Sequence, residues 1–121
     1  MSHATILVVD DERGIREQLE GILRDEGFSV TAAASGEEAS ALPAAPPFDL
    51  LLTDLVLPGI AGPDLARRLR ERWPRLRVVV MSGYAREHAL ETLRADLEAE
   101  FLQKPFHIAV LEQAIRRTLD R

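Results

Sequence analysis

Three runs in this chain, Ile6-Leu7-Val8-Val9, Leu50-Leu51-Leu52-Thr53 and Val78-Val79-Val80-Met81, are apolar almost without a break. A strand with one wet face alternates apolar and polar residues, whereas a strand covered on both faces has no reason to. The runs therefore predict central strands of a parallel sheet packed between helices. Between them, Ile15, Leu19, Ile22 and Leu23 recur at three- and four-residue steps, and Ile108, Leu111, Ile115 and Leu119 repeat the pattern near the end. Both segments read as one-faced helices. Two weaker runs, 29–33 and 101–103, look less buried. Strands that alternate with helices from end to end predict an α/β fold, a doubly wound parallel sheet of five strands with five helices.

Punctuation agrees with that division. Gly27 stands where the first helix must stop, and Ser35 with Glu38 three residues on forms a capping-box pair for a short second helix. Ala44-Ala45-Pro46-Pro47 reads as a loop, Trp73-Pro74 ends the third helix, and a fourth helix is expected over about 86–94. The 121 residues, 46% of them hydrophobic, suffice for one domain with a single core, placed at 1–121. A formal net charge of -5 argues against direct contact with nucleic acid, whose phosphates are held by clustered Lys and Arg. There is no cysteine for a disulfide, thiolate site or thiol nucleophile, and no run reaches the ~20 apolar residues of a membrane span. The expected setting is the cytoplasm, with no membrane partner.

Ligands of such sheets gather at the carboxyl ends of the strands, where the strand order reverses. The chain's chemistry maps there. Asp10 and Asp11 follow the first strand, Asp54 ends the third, Ser82 follows the fourth and Lys104 follows the fifth. Taken singly, Asp10 or Asp11 is an ordinary cap for a helix beginning near Glu12, and Asp54 an ordinary turn residue. Taken together they are not ordinary, because like charges ~4 Å apart repel by about 4 kcal/mol per pair at an effective dielectric near 20. Such a cluster invites a divalent cation.

The motifs Val8-Val9-Asp10-Asp11-Glu12, Asp54-Leu55-Val56-Leu57-Pro58-Gly59-Ile60-Ala61-Gly62, Met81-Ser82-Gly83 and Lys104-Pro105-Phe106 stand in order, each at its own strand. In this they resemble the receiver domains of two-component signalling, the response-regulator family, over essentially the whole chain. The resemblance implies a flavodoxin-like sheet in the order 2-1-3-4-5. It implies that Asp54 is the phosphoacceptor and takes a phosphoryl group from a phosphohistidine on a sensor histidine kinase or a histidine phosphotransfer domain. A carboxylate is a weak nucleophile that works beside a neutralising metal, and the implied cofactor is Mg2+. Asp11, Asp54 and the backbone carbonyl of Val56 would hold it directly, with Asp10 assisting through water. Lys104 and the Ser82 hydroxyl would contact the phosphoryl oxygens. Ser82 and Phe101 would form the switch, Phe101 turning from outside to inside and altering the face built by the fourth helix, fifth strand and fifth helix. Such a protein catalyses only its own phosphorylation and dephosphorylation.

Gly14 and Ile15, with Phe106, are expected beside the acid cluster as a docking surface for the histidine-bearing partner. Lys104-Pro105 is expected to be a cis peptide. Neither Val56 nor Tyr84, which flank the acceptor and the hydroxyl, carries an acid or amide to orient a water, so slow hydrolysis of the acyl phosphate is expected. Arg67, Arg68, Arg70 and Arg72 read as a solvated face paired at four-residue spacing with Asp64 and Glu71, and His3, His88 and His107 as surface residues. Three other classes were weighed. A Mg2+ phosphohydrolase would want a cap insertion and a carboxylate two residues after its nucleophile, where this chain has Val56. A dinucleotide-binding domain would want G-x-G-x-x-G after the first strand. A phosphorylation-independent interaction module of receiver type is the remaining alternative, and the intact acid set speaks against it. Ser82-Gly83-Tyr84 and the segment Phe101-Leu102-Gln103-Lys104-Pro105-Phe106 are similar to receivers at the end of hybrid sensor kinases.

Overall fold

A computed structural model describes residues 4–43, 47–83 and 95–120. The expected fourth helix, about 86–94, lies outside them, as do Tyr84, His3, His88 and residues 44–46 of the proline-rich loop. The five strands are β1 (Thr5–Val9), β2 (Ser29–Ala33), β3 (Leu50–Asp54), β4 (Arg77–Ser82) and β5 (Glu100–Gln103). They form one parallel sheet in the order β2-β1-β3-β4-β5. This is the doubly wound, flavodoxin-like arrangement expected. The wholly apolar runs are the three central strands, and the weaker runs are its two edges.

Alternate residues of the central strands feed two separate cores. Leu7, Val9, Leu51, Val78 and Val80 face one way and pack beneath α2 (Gly36–Ser40) and α3 (Gly62–Arg72), against Ala39, Leu65, Ala66 and Leu69. Ile6, Val8, Leu50, Leu52, Val79 and Met81 face the other way, beneath α1 (Arg13–Asp25) and the C-terminal helix (Ile108–Leu119), against Leu19, Leu23, Leu111 and Ile115. Burying each such aliphatic side chain contributes about 1.5–3 kcal/mol. Residues 95–97 add a helical turn that buries Leu97 on the first side.

The helix ends fall where the punctuation placed them. Gly27, at φ 94°, turns the chain out of α1, its N–H donating to Arg24 O at 3.0 Å. Ser35 Oγ accepts from Glu38 N at 3.1 Å and caps α2. Trp73 closes α3. The basic run of α3 departs from expectation. Arg67 pairs with Asp64 at three-residue spacing, 3.0 Å. Arg70 donates to the carbonyls of Leu76 and Leu97, and Arg72 to those of Ser40 and Leu42. The departure lies in the partners and not in the exposure: Arg70 is half-buried and ties α3 to its neighbours, whereas Arg72 makes its bonds while exposed, as Arg67 and Arg68 are.

Candidate functional site

Register brings the polar residues together. Val9 lies beside Thr53 and Asp54 beside Met81, while Ser82 lies beside Gln103. One residue further along, Asp10, Asp54, Ser82 and Lys104 therefore crowd the carboxyl edge, where the chain order reverses between β1 and β3. Backbone bonds fix the edge: Leu55 N donates to Met81 O at 2.8 Å and Lys104 N to Ser82 O at 2.8 Å. The Lys104–Pro105 peptide is cis, as expected.

The two neighbouring acids divide. Asp10 is fully buried, and Asp11 is exposed. Asp10 Oδ1 accepts the Glu12 N–H at 2.9 Å ahead of α1, whose N-cap is Glu12 with no side-chain cap, so neither acid caps the helix; its Oδ2 accepts from Lys104 Nζ at 3.2 Å. Lys104 Nζ also stands 2.5 Å from Asp54 Oδ1. Asp10, Asp11 and Asp54 each offer an oxygen within 4.8 Å of the others. A cleft of about 200 Å3 opens over them, lined by Asp11, Asp54, Val56, Ser82 and Lys104 among others.

Burial first, then the hydrogen bond and charge of Asp10, push the Asp54 carboxyl up to about 7 against the pull of Lys104. Burial works to lower the Lys104 ammonium, but Asp54 and Asp10 outweigh it and hold the group above its ordinary value. One ammonium is too little for three carboxylates. The donor set is all oxygen and excess negative, which fits a hard divalent cation such as Mg2+.

The remaining expected residues spread around this cleft. Ser82 is buried at its wall. Val56 stands at the rim, 79% exposed. Phe101 is partly buried against the core beneath α3. Ile15 and Phe106 line an apolar groove of about 440 Å3 between α1 and the C-terminal helix, and Lys104 forms its end nearest the acids. Gly14 is exposed and lies outside that lining. Sequence reasoning passed over Glu37 and Gly62, which touch the segment following Asp54 from α2 and α3.

The chain matches the family model described as response regulator receiver domain over residues 6–116. It is 34% identical over 120 residues to the sensor kinase CckA of Brucella abortus (strain 2308), covering 98% of this chain but only 13% of that protein. It is 35% identical over 114 residues to the response regulator receiver protein CpdR of the same organism, covering 94% of this chain and 95% of CpdR. The chain spans 27% and 42% of two further curated relatives, so it corresponds to a part of many of the proteins it matches. Among solved structures, a CheY-like receiver domain protein from Methanospirillum hungatei JF-1 superposes with a TM-score of 0.88 at 29% identity, covering 98% of this chain and 95% of that one. No helix among the described residues is long and apolar enough to cross a membrane. With the fold, the acid cluster at its switch point and the match over residues 6–116 in agreement, the chain belongs to the response regulator receiver domain family of two-component signalling.

Proposed function

We propose that Asp54 accepts a phosphoryl group from a phosphohistidine carried by a sensor histidine kinase or a histidine phosphotransfer domain. The observation that carries this reading is the meeting of Asp54 with Lys104 at 2.5 Å in a cleft walled by Ser82 and flanked by Asp10 and Asp11. In the transfer, a carboxylate oxygen of Asp54 bonds to phosphorus as the phosphorus–nitrogen bond breaks, and the electron pair of that bond returns to the imidazole. Lys104 exchanges part of its contact with Asp54 for a phosphoryl oxygen, and the Ser82 hydroxyl donates to another. Asp10, Asp11, Asp54 and the carbonyl of Val56 would hold Mg2+. When bound, the ion offsets the negative charge that carboxylate and phosphoryl bring together.

The apolar groove beside Lys104 suits a helix of the partner, with Ile15 and Phe106 as its contacts. The anion formed at Asp54 draws Ser82 and Lys104 toward it, and Phe101, on the strand that ends at Lys104, transmits the change to the face of the fourth helix, fifth strand and C-terminal helix. The domain covers 1–121 and acts in the cytoplasm, where its kinases present phosphohistidine. Intact mass after incubation with acetyl phosphate and Mg2+ tests the reading. The wild type should gain one phosphoryl group, and Asp54→Asn none. Equal labelling of both would overturn Asp54 as the acceptor, and labelling of neither would overturn the reading in favour of a phosphorylation-independent interaction module.

A further inference from the structure

The segment from Asp54 to α3 carries the Val56 carbonyl and the acceptor's own backbone, and it is held from outside by one acidic side chain of α2. Glu37 Oε1 accepts the Ile60 N–H at 3.0 Å across a sequence separation of 23 residues. Three close approaches surround that bond. Gly59, at φ 77°, lies under the Glu37 carboxylate, where a Cβ would come within 3.0 Å of Glu37 Cδ. Gly36, the first residue of α2, packs on Ile60 so tightly that a Cβ there would stand 2.8 Å from Ile60 Cβ. Gly62, the first residue of α3, abuts the acceptor itself. A Cβ on it would stand 3.1 Å from the Asp54 carbonyl carbon and run into its oxygen, and its N–H donates to Leu55 O at 3.1 Å. An unbroken line of contact thus runs from Glu37 through Ile60 and Gly62 to Asp54.

We infer that Glu37 is a positioning residue for phosphoryl acceptance, latching the Asp54–α3 segment so that the Asp54 carboxylate and the Val56 carbonyl face the cleft together. The inference rests on the acceptor role proposed for Asp54. A charge-assisted bond to a backbone N–H is stronger and more directional than a neutral one, and Glu37 makes it from the first turn of α2. No other residue of α2 makes a hydrogen bond to this segment among those described. Loss of a group that orients a metal's ligands commonly costs about tenfold or more in affinity.

The test compares wild type with Glu37→Ala, with Glu37→Gln, whose amide oxygen can still accept, and with Ser35→Ala, which removes the cap of the same helix without touching the latch. In metal-free protein the Ile60 amide should lose hydrogen-exchange protection in Glu37→Ala and keep most of it in Glu37→Gln and Ser35→Ala. Mg2+ affinity, followed by amide shifts, and the initial rate of acetyl phosphate uptake should each fall about tenfold in Glu37→Ala, with Glu37→Gln restoring most of the loss. An Ile60 amide protected equally in all four proteins would overturn the latch, as would Mg2+ affinity and uptake that follow thermal stability alone. A wild type that neither binds Mg2+ nor takes up phosphate would overturn the acceptor reading and the latch with it.

Discussion

The two faces of the sheet are finished differently. Beneath α2 and α3 the packing is closed: Glu37 ties α2 to the loop before α3, and Arg72 at the far end of α3 donates to Ser40 O and Leu42 O, both at 2.9 Å. Phe48 and Trp73 seal that same end in an edge-to-face pair 5.2 Å apart. Between α1 and the C-terminal helix an apolar groove stays open, and Ile108 at its mouth is 52% exposed. Asp54 stands between the two. Its backbone is braced from the closed face, and its carboxylate meets Lys104, which also contacts Asp10 and lines the open groove. On the proposed reading a nucleophile that must not wander and a partner that must come and go make opposite demands, and they would be met on opposite faces.

This division can be broken by mutation. Leu69→Ala, in the closed core, should cost about 2–5 kcal/mol of unfolding free energy, because the braced helices cannot collapse into the void. Ile108→Ala, at the mouth of the groove, should cost no more than about 0.5 kcal/mol. Urea titrations of both variants check the contrast, and equal costs would remove it.

A smaller effect follows from the charge cluster between the faces. The Asp54 carboxyl is held at about 7 in the folded protein, above the ordinary 3.8. Between those pH values the folded state keeps a proton that the unfolded chain releases. The stability of the metal-free protein should therefore fall as pH rises from about 4 to 7 and level off above, while Mg2+ at high pH should restore it. Asp54→Asn should lower that slope. Thermal unfolding across the window measures it, and parallel curves for the two proteins would contradict the assignment. A modest effect is expected at the α2 cap, where Ser35→Ala should cost about 1 kcal/mol in the same urea titrations.

Much of this was legible in the residues. Uninterrupted apolar runs mark strands covered on both faces, and a strand that stops at an acid or a lysine advertises its edge, so β1, β3, β4 and the site charges could be placed from order alone. What the sequence hid depends on contacts between distant residues. Nothing local distinguishes Asp10 from Asp11, yet one is buried against Lys104 and the other is exposed. Glu37 looks like an ordinary acid at a helix start until Ile60, far along the chain, comes to rest against it. The bonds of Arg70 and Arg72 are hidden in the same way, because the carbonyls they reach lie outside their own helix.

The central claim is that the closed face fixes the acceptor while the open face admits the donor. It is tested most directly by the rate of Asp54 phosphorylation in Ile15→Asp, measured by intact mass with two donors. With acetyl phosphate, which needs no docking surface, the rate should match wild type. With a phosphorylated histidine kinase or phosphotransfer domain it should fall about tenfold or more, a loss of roughly 1.4 kcal/mol. Rates that fall together with both donors, or with neither, would contradict the account.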